Sequence, residues 1–289
     1  MKKSLKIIAF IIVLVVSLPL ELELLLSVTD IWGLKYFDDL ATLWEKSTID
    51  ATRGYILPPG TYQFSHWKAT ELEKSVRLLP NNAKGTCEVV FLGDSVTWGH
   101  GINDSETWVN LIAAQMPQIN AINPSLDGYN SENVRRAIAD FPEANVIVYM
   151  MVGNDTDYTF GYSNALPYQP HLSMIEKYVR YFAIQKSGSA ASSEYTSIAP
   201  AISDANVQRF MSDLKAMKGN KRVVFIAFDK EFDNLKQEYG IHSIPMYTHR
   251  ISYADPHPNA EGSKEMAAVI QPIVREAVDQ QCPPAANKP

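Results

Sequence analysis

Four short segments carry side chains that together could perform acyl transfer. They are Phe91-Leu92-Gly93-Asp94-Ser95-Val96-Thr97-Trp98-Gly99, Asp127-Gly128-Tyr129-Asn130-Ser131, Val152-Gly153-Asn154-Asp155 and Asp255-Pro256-His257-Pro258-Asn259. A serine hydroxyl is a weak nucleophile until a neighbouring base takes its proton. His257 is a base of the right kind near neutral pH. Asp255, two residues earlier, can hold the imidazole in one tautomer and stabilise its protonated form. An oxyanion developing on the attacked carbonyl needs preorganised donors, and the amides of Ser95 and Gly128 and the carboxamide of Asn154 are candidates, each able to contribute about 3–4 kcal/mol. Asp94 is expected to fix the turn behind the nucleophile. Asn130 and Asp155 are expected to orient the donors, and Trp98 and His100 to line a pocket. Taken singly, each segment also reads as plain structure: Gly-Asp-Ser and Gly128 as turns, Asn154-Asp155 as a turn or cap, Asn259 as a helix N-cap.

Their meaning depends on the elements that hold them. Apolar runs predict strands over 88–92, 119–122, 146–152 and 222–228. Periodicity and capping residues predict helices over 104–115, 131–141, 203–217, 230–239 and 260–279, the last bent at Pro272. Alternating strands and helices mean an α/β protein with a parallel sheet covered on both faces. In such sheets active sites lie outside the carboxyl ends of the strands. The first three segments directly follow strands. The fourth opens a helix running back against them, so it starts at the same rim. Cys87 begins the first strand, roughly 26 Å below that rim at about 3.3 Å per residue. Cys282 follows a helix that descends roughly 30 Å from the rim. A structural disulfide is therefore expected, which requires Cα atoms within about 7 Å.

In this order and at these positions the segments resemble the GDSL, or SGNH, hydrolase family. Its Ser, Gly, Asn and His blocks map onto Ser95, Gly128, Asn154 and His257 across about residues 87–280. The resemblance implies a flavodoxin-like three-layer α/β/α sandwich with a central parallel sheet. It implies Ser95 as nucleophile and oxyanion donor, Gly128 and Asn154 as further donors, and Asp255 and His257 as the rest of a triad, with no cofactor and no metal. The implied activity is serine-dependent hydrolysis of an O-acetylated carbohydrate or an acyl ester through an acyl-enzyme intermediate. Alternatives are O-acyl transfer to a cell-envelope polysaccharide, or non-catalytic glycan binding. Two departures stand out: Val152 occupies the usual first glycine of the third block, and one residue rather than two separates Asp255 from His257. A nucleophile-elbow hydrolase needs Gly-x-Ser-x-Gly, and Thr97 breaks that pattern. A two-metal phosphoesterase needs several converging ligands, yet of the six histidines only His257 lies in a ligand-like motif.

The 289 residues are 46% hydrophobic and 20% charged, a composition that supports a sizeable core and excludes general disorder. A net charge of −6 without a basic stripe argues against nucleic acid as a partner. Lys2, Lys3 and Lys6 precede an apolar run over 7–20 that reaches 28 if Glu21 and Glu23 sit near an interface. That reads as a transmembrane anchor or a secretory signal, or more plainly as a buried hydrophobic helix, and no Ala-x-Ala cleavage site follows. Basic residues stay on the cytoplasmic side, so the remainder is expected to be extracytoplasmic and membrane-anchored, or secreted if the leader is cleaved. The expected division is 1–28 anchor or signal, 29–84 stalk and N-terminal decoration with an extended strand over 61–67, 85–282 hydrolase domain, and 283–289 flexible tail. An insertion over 157–202 is aromatic-rich (Tyr158, Phe160, Tyr162, Tyr168, Tyr178, Tyr181, Phe182) and then small-residue-rich. It reads as a lid or binding loop, or as simple packing of a helix over 175–184.

Overall fold

The computed structural model describes residues 2–156, 158, 171–186, 204–220 and 222–282; the side chains at 2–5, 8–12 and 184–186 lie outside that description. Much of the 157–202 insertion and the 283–289 tail therefore falls outside the described residues. A long helix, α1 (Lys2–Thr29), leads into α2 (Tyr36–Lys46), then a hairpin of β1 (Thr48–Asp50) and β2 (Gly54–Ile56). A three-stranded antiparallel sheet follows, of β3 (Gly60–Gln63), β4 (Lys68–Leu72) and β5 (Val76–Arg77). The single strand expected over 61–67 is instead the first arm of this sheet. Phe64 N–H donates to Trp67 O at 3.0 Å, and their rings stack at 4.0 Å, which turns the chain back on itself.

Five strands build the main sheet: β6 (Cys87–Leu92), β7 (Ile119–Ile122), β8 (Val146–Met151), β9 (Val223–Phe228) and β10 (His242–Ile244). All pairings are parallel and the spatial order is β7-β6-β8-β9-β10. This is the doubly wound order with its switch point between β6 and β8. β6 and β8 are apolar at nearly every position because both faces are covered. Val89, Phe91, Val148 and Met150 point into one cluster shared with α4 (Trp108–Gln115) and α9 (Ala260–Gln281). Val90, Leu92, Ile147 and Tyr149 point into the other, shared with α5 (Ser131–Ala137) and α7 (Asp204–Lys218). The protein is thus a three-layer α/β/α sandwich, as expected.

Several helices are shorter than their periodicity suggests, for local reasons. The expected 104–115 helix divides into a 3-10 turn, Asp104–Glu106, and α4, because Thr107 turns extended and its Oγ1 caps Asn110 N–H. The 230–239 helix contracts to α8 (Lys236–Tyr239), since Lys230 and Phe232 adopt positive φ values of 71° and 52°. The aromatic insertion contributes α6 (Met174–Lys186). β10, too short to signal itself, was not expected. α9 continues through Pro272, and Asn259 caps it by accepting from Glu261 and Gly262 N–H. At the far end of α9, Cys282 is disulfide-bonded to Cys87 at the start of β6, with Cα atoms 5.9 Å apart.

Among the described residues no helix is long and apolar enough to cross a membrane. The side chains at 8–12, the middle of the run on which the expected anchor rests, lie outside that description. The described part of α1 is apolar and exposed at Val13, Val15, Val16, Leu20 and Leu24.

Candidate active site

The switch point places two of the four segments side by side, one after β6 and one after β8. Gly93 ends β6 where no side chain fits: a Cβ there would lie 2.3 Å from Thr97 Oγ1 and 2.8 Å from Met150 O. Asp94 then caps the one-turn helix α3 (Ser95–Trp98), its Oδ1 accepting from Val96 N–H at 2.9 Å. Ser95 is the first helical residue. The loop leading into α9 comes to meet it. Ile251 N–H donates to His257 O at 2.9 Å and Tyr247 Oη to Pro256 O at 2.9 Å, which fixes the loop backbone.

Ser95 Oγ and His257 Nε2 are hydrogen-bonded at 2.8 Å, across 162 positions of sequence. His257 Nδ1 donates to Asp255 Oδ1 at 2.6 Å, and His257 N–H reaches the same oxygen at 3.1 Å. A weaker contact of 3.3 Å joins Ser95 Oγ to Asp94 Oδ2. The hydroxyl has one proton, and when the imidazole is neutral the shorter bond, to Nε2, is the one it serves. All three residues are buried: Ser95 is 3% exposed, Asp255 3% and His257 6%.

Burial by itself would lower the proton affinity of His257. The Asp255 charge and hydrogen bond outweigh it, with Asp127 and Asp94 adding to the pull, and the imidazole is raised to about 9. Burial would raise Asp255, but His257 beside it holds the carboxyl below its usual range. Asp94 is raised to about 6, chiefly by burial.

The other expected residues line the same rim. Gly128 follows β7 with φ +74°, and a Cβ there would lie 3.0 Å from Tyr55 Oη and 3.2 Å from Trp44 Cη2. Asn154 sits in the 3-10 turn Gly153–Thr156 after β8, with its Oδ1 buried and unpaired, and its side chain helps hold the Asp94 carboxyl down. Asp155 stabilises that turn: its Oδ2 accepts from Val152 N–H at 3.1 Å and Tyr149 Oη at 2.7 Å. Val152, where the family pattern has glycine, is fully buried in the sheet core. Asn130 serves as the N-cap of α5.

Other residues of the site escaped the sequence reading. Arg77, fully buried, donates to the carbonyls of Trp98 (2.6 Å), Gly99 (2.5 Å) and Ile102 (2.6 Å), and to Asp104 Oδ1 (3.1 Å). Tyr55 Oη donates to Asp127 O at 2.7 Å. Trp98 Nε1 donates to Glu71 Oε1 at 2.7 Å, and burial raises that carboxyl to about 8. Residues before 85 therefore hold the loops that carry Ser95 and Gly128. Glu231, in the loop after β9, is also raised to about 8, by burial and by Asp94 nearby. His100, expected only to line a pocket, bonds through Nδ1 to Asp127 Oδ2 and stacks on His257 with centroids 4.5 Å apart.

Ligand-type atoms of His100, Asp255 and His257 lie within 4.8 Å of one another, the group among the described residues with the composition to hold a metal ion. Both nitrogens of His257 are already engaged, by Ser95 and Asp255, so the arrangement suits a hydrogen-bonded relay better. A cleft of about 760 Å³ lies elsewhere, against Glu71, Val76, Asn82 and Phe141, and contains none of the triad. A second, of about 420 Å³, reaches Asp255 and is lined also by Tyr36, Trp67, Gly101 and Tyr253. The chemistry, not the volume, marks the site.

No protein-family model and no curated protein sequence matches the chain. Among solved structures it is similar to a family two carbohydrate esterase from Cellvibrio japonicus, with 14% identity and a TM-score of 0.40 over 71% of this chain and 65% of that one. It is similar to a member of the lipolytic protein G-D-S-L family from Veillonella parvula DSM 2008, with 19% identity and a TM-score of 0.35 over 66% and 99%. A carbohydrate acetylesterase family member from Sinorhizobium meliloti matches at 13% identity with a TM-score of 0.39, over 67% and 99%.

Proposed function

We propose that the protein is a serine-dependent ester hydrolase of the SGNH type. The observation that carries this reading is the hydrogen-bonded chain Ser95 Oγ–His257–Asp255, at 2.8 and 2.6 Å. His257 Nε2 takes the Ser95 proton as Oγ attacks the ester carbonyl carbon. The carbonyl oxygen becomes an oxyanion, facing donors for which the Ser95 and Gly128 amides and the Asn154 carboxamide are the candidates. The tetrahedral species collapses, His257 returns its proton to the departing alkoxide, and an acyl-Ser95 ester remains. Water, deprotonated by the same imidazole, then attacks the acyl carbon; the acyl–Oγ bond breaks, His257 returns the proton to Ser95 Oγ, and the carboxylic acid departs. Asp255 keeps its charge throughout and balances the imidazolium.

The substrate we propose is an extracytoplasmic ester, an O-acetylated carbohydrate or an acyl ester. Supporting the location are the basic, apolar N-terminus and the Cys87–Cys282 bond, since disulfides persist in oxidising compartments. We read the basic, apolar N-terminal run as an anchor or a cleaved secretory leader, with the hydrolase body outside the cytoplasm. The test is fluorophosphonate labelling of the full chain, with hydrolysis of p-nitrophenyl acetate measured alongside. Labelling at Ser95 and turnover, both lost in Ser95→Ala, are expected. A label that survives the substitution would place the nucleophile elsewhere. A panel of acetylated glycans and acyl esters, with product analysis, then separates release to water from transfer to a sugar hydroxyl.

A further inference from the structure

The turn that leaves the nucleophile carries a second imidazole in a built environment. Gly99 and Gly101, on either side of His100, have φ of +90° and +79°. A Cβ at Gly101 would lie 1.8 Å from Ile251 Cδ1, so this turn and the Asp255 loop are in close contact. Arg77 clamps the carbonyls of Trp98, Gly99 and Ile102 around it. The His100 side chain has no solvent exposure. Its Nδ1 bonds to Asp127 Oδ2. Its Nε2 has no hydrogen-bond partner and lies 3.8 Å from Asp255 Oδ2.

The two oxygens of Asp255 are thus divided. Oδ1 serves His257 through side chain and backbone. Oδ2 faces His100. A bare nitrogen lone pair aimed at a buried carboxylate is costly, whereas an N–H in that place is stabilising. At 3.8 Å the contact is longer than a formed hydrogen bond. Catalytic contacts of this kind tighten when substrate binds.

We propose, on the reading of Ser95, His257 and Asp255 as a catalytic triad, that His100 is a positioning residue: with its Nδ1–H held by the Asp127 carboxylate, it directs a second N–H, on Nε2, and with it the charge of a doubly protonated ring, at the second oxygen of Asp255, and so sets how firmly Asp255 holds the proton on His257. An N–H at Oδ2 shares the carboxylate charge. Less of that charge then stabilises the His257 imidazolium, and the base is freed at lower pH. The other groups around this pair are accounted for. Asp94 and Asp127 add negative charge toward His257. Tyr36 packs 5.4 Å from the His100 ring and 6.1 Å from the His257 ring. Trp67 lies 5.2 Å from His100 and Trp98 6.3 Å, while the Arg77 charge is held on the flanking carbonyls.

Two substitutions in the full-length chain separate donor from ring. His100→Phe keeps the stacked face and loses the N–H; His100→Gln keeps an N–H of similar reach. The pH profile of kcat/KM for p-nitrophenyl acetate is measured for each. The Phe variant is expected to move the acid limb upward by about half a pH unit or more and to lower kcat about tenfold with KM within about twofold. The Gln variant, which keeps an N–H but not the charge, is expected to place its limb between those of the wild type and the Phe variant. A Phe variant with an unshifted limb, or a Gln variant shifted as far as Phe or further, overturns the proposal. If the variants do not fold, judged by thermal melting, ring-nitrogen NMR of the histidine-labelled wild-type chain decides: a proton on His100 Nε2 is expected, and a bare Nε2 at neutral pH overturns it. A wild-type chain that neither turns over the ester nor labels at Ser95 would instead sink the triad reading, leaving the NMR result to judge the bracing contact on its own.

Discussion

The proton at the centre of this site lies between groups that three buried carboxylates bias in one direction. Asp255 raises His257 directly, and Asp127 and Asp94 reinforce it, until the imidazole stands at about 9. The sign follows. Below that value His257 is protonated and cannot accept from Ser95; above it the neutral base is available. kcat/KM for a soluble ester should therefore rise with pH through an acid limb near 9, measured from pH 6 to 10. A limb at the ordinary histidine value near 6.5 would contradict the picture. Asp255→Asn removes the largest upward pull and the acceptor that fixes the tautomer. The expected result is a limb displaced toward acid and a kcat lower by as much as about 10⁴-fold, the scale seen when a triad aspartate is amidated. These three residues were legible because each lies in a short segment with its own chemical signature. His100 was not. Its importance comes from two positive-φ glycines and from partners at 127 and 255, which spacing along the chain does not reveal.

At the scale of elements, the strands were readable because β6 and β8 are apolar on both faces, a pattern that survives any detail of packing. Helix ends were less so, since Thr107 and the positive φ at Lys230 and Phe232 stop helices that periodicity would extend. The region before residue 85 read only as decoration because its contribution is made through long-range bonds. Arg77 in β5 secures the turn of Ser95 and His100, and Tyr55 in β2 secures the backbone of Asp127 beside Gly128. Arg77→Met tests this arrangement. It takes the guanidinium away from three buried carbonyls and from Asp104, which keeps only the Thr70 N–H on the oxygen that Arg77 shares, and the expected loss in urea unfolding is about 3–5 kcal/mol, as for breaking a buried ion pair from one side. Fluorophosphonate labelling of the remaining folded protein should also slow, because the nucleophile turn loses its clamp. A variant with wild-type stability and labelling would show that this region merely covers the rim. Gly128→Ala is expected to cost of order 1–3 kcal/mol by forcing a side chain into positive φ against Tyr55 and Trp44, read from the same unfolding curves.

Across the whole molecule, long-range contacts tie the end of α1 to the body and a covalent bond joins the last helix to the sheet. Glu23 accepts from the N–H groups of Met174 (2.5 Å) and Ile175 (2.9 Å), seating the carboxyl end of α1 on the start of α6. Trp32, just beyond it, packs against Tyr178, Tyr181 and Phe182 of the same helix. At the opposite end of the sheet from Ser95, Cys87–Cys282 spans 195 positions and binds the end of α9 to the start of β6. A cross-link over so long a segment restricts the unfolded chain strongly, while its distance from the rim leaves the triad untouched. Replacing both cysteines by serine is therefore expected to lower the unfolding free energy by about 2–4 kcal/mol. kcat for p-nitrophenyl acetate should stay unchanged where the protein remains folded. A double variant as stable as the wild type would deny the bond its structural role. A fall in kcat at unchanged stability would mean that β6 transmits strain from its amino end to Ser95, and would overturn the separation of scaffold from site.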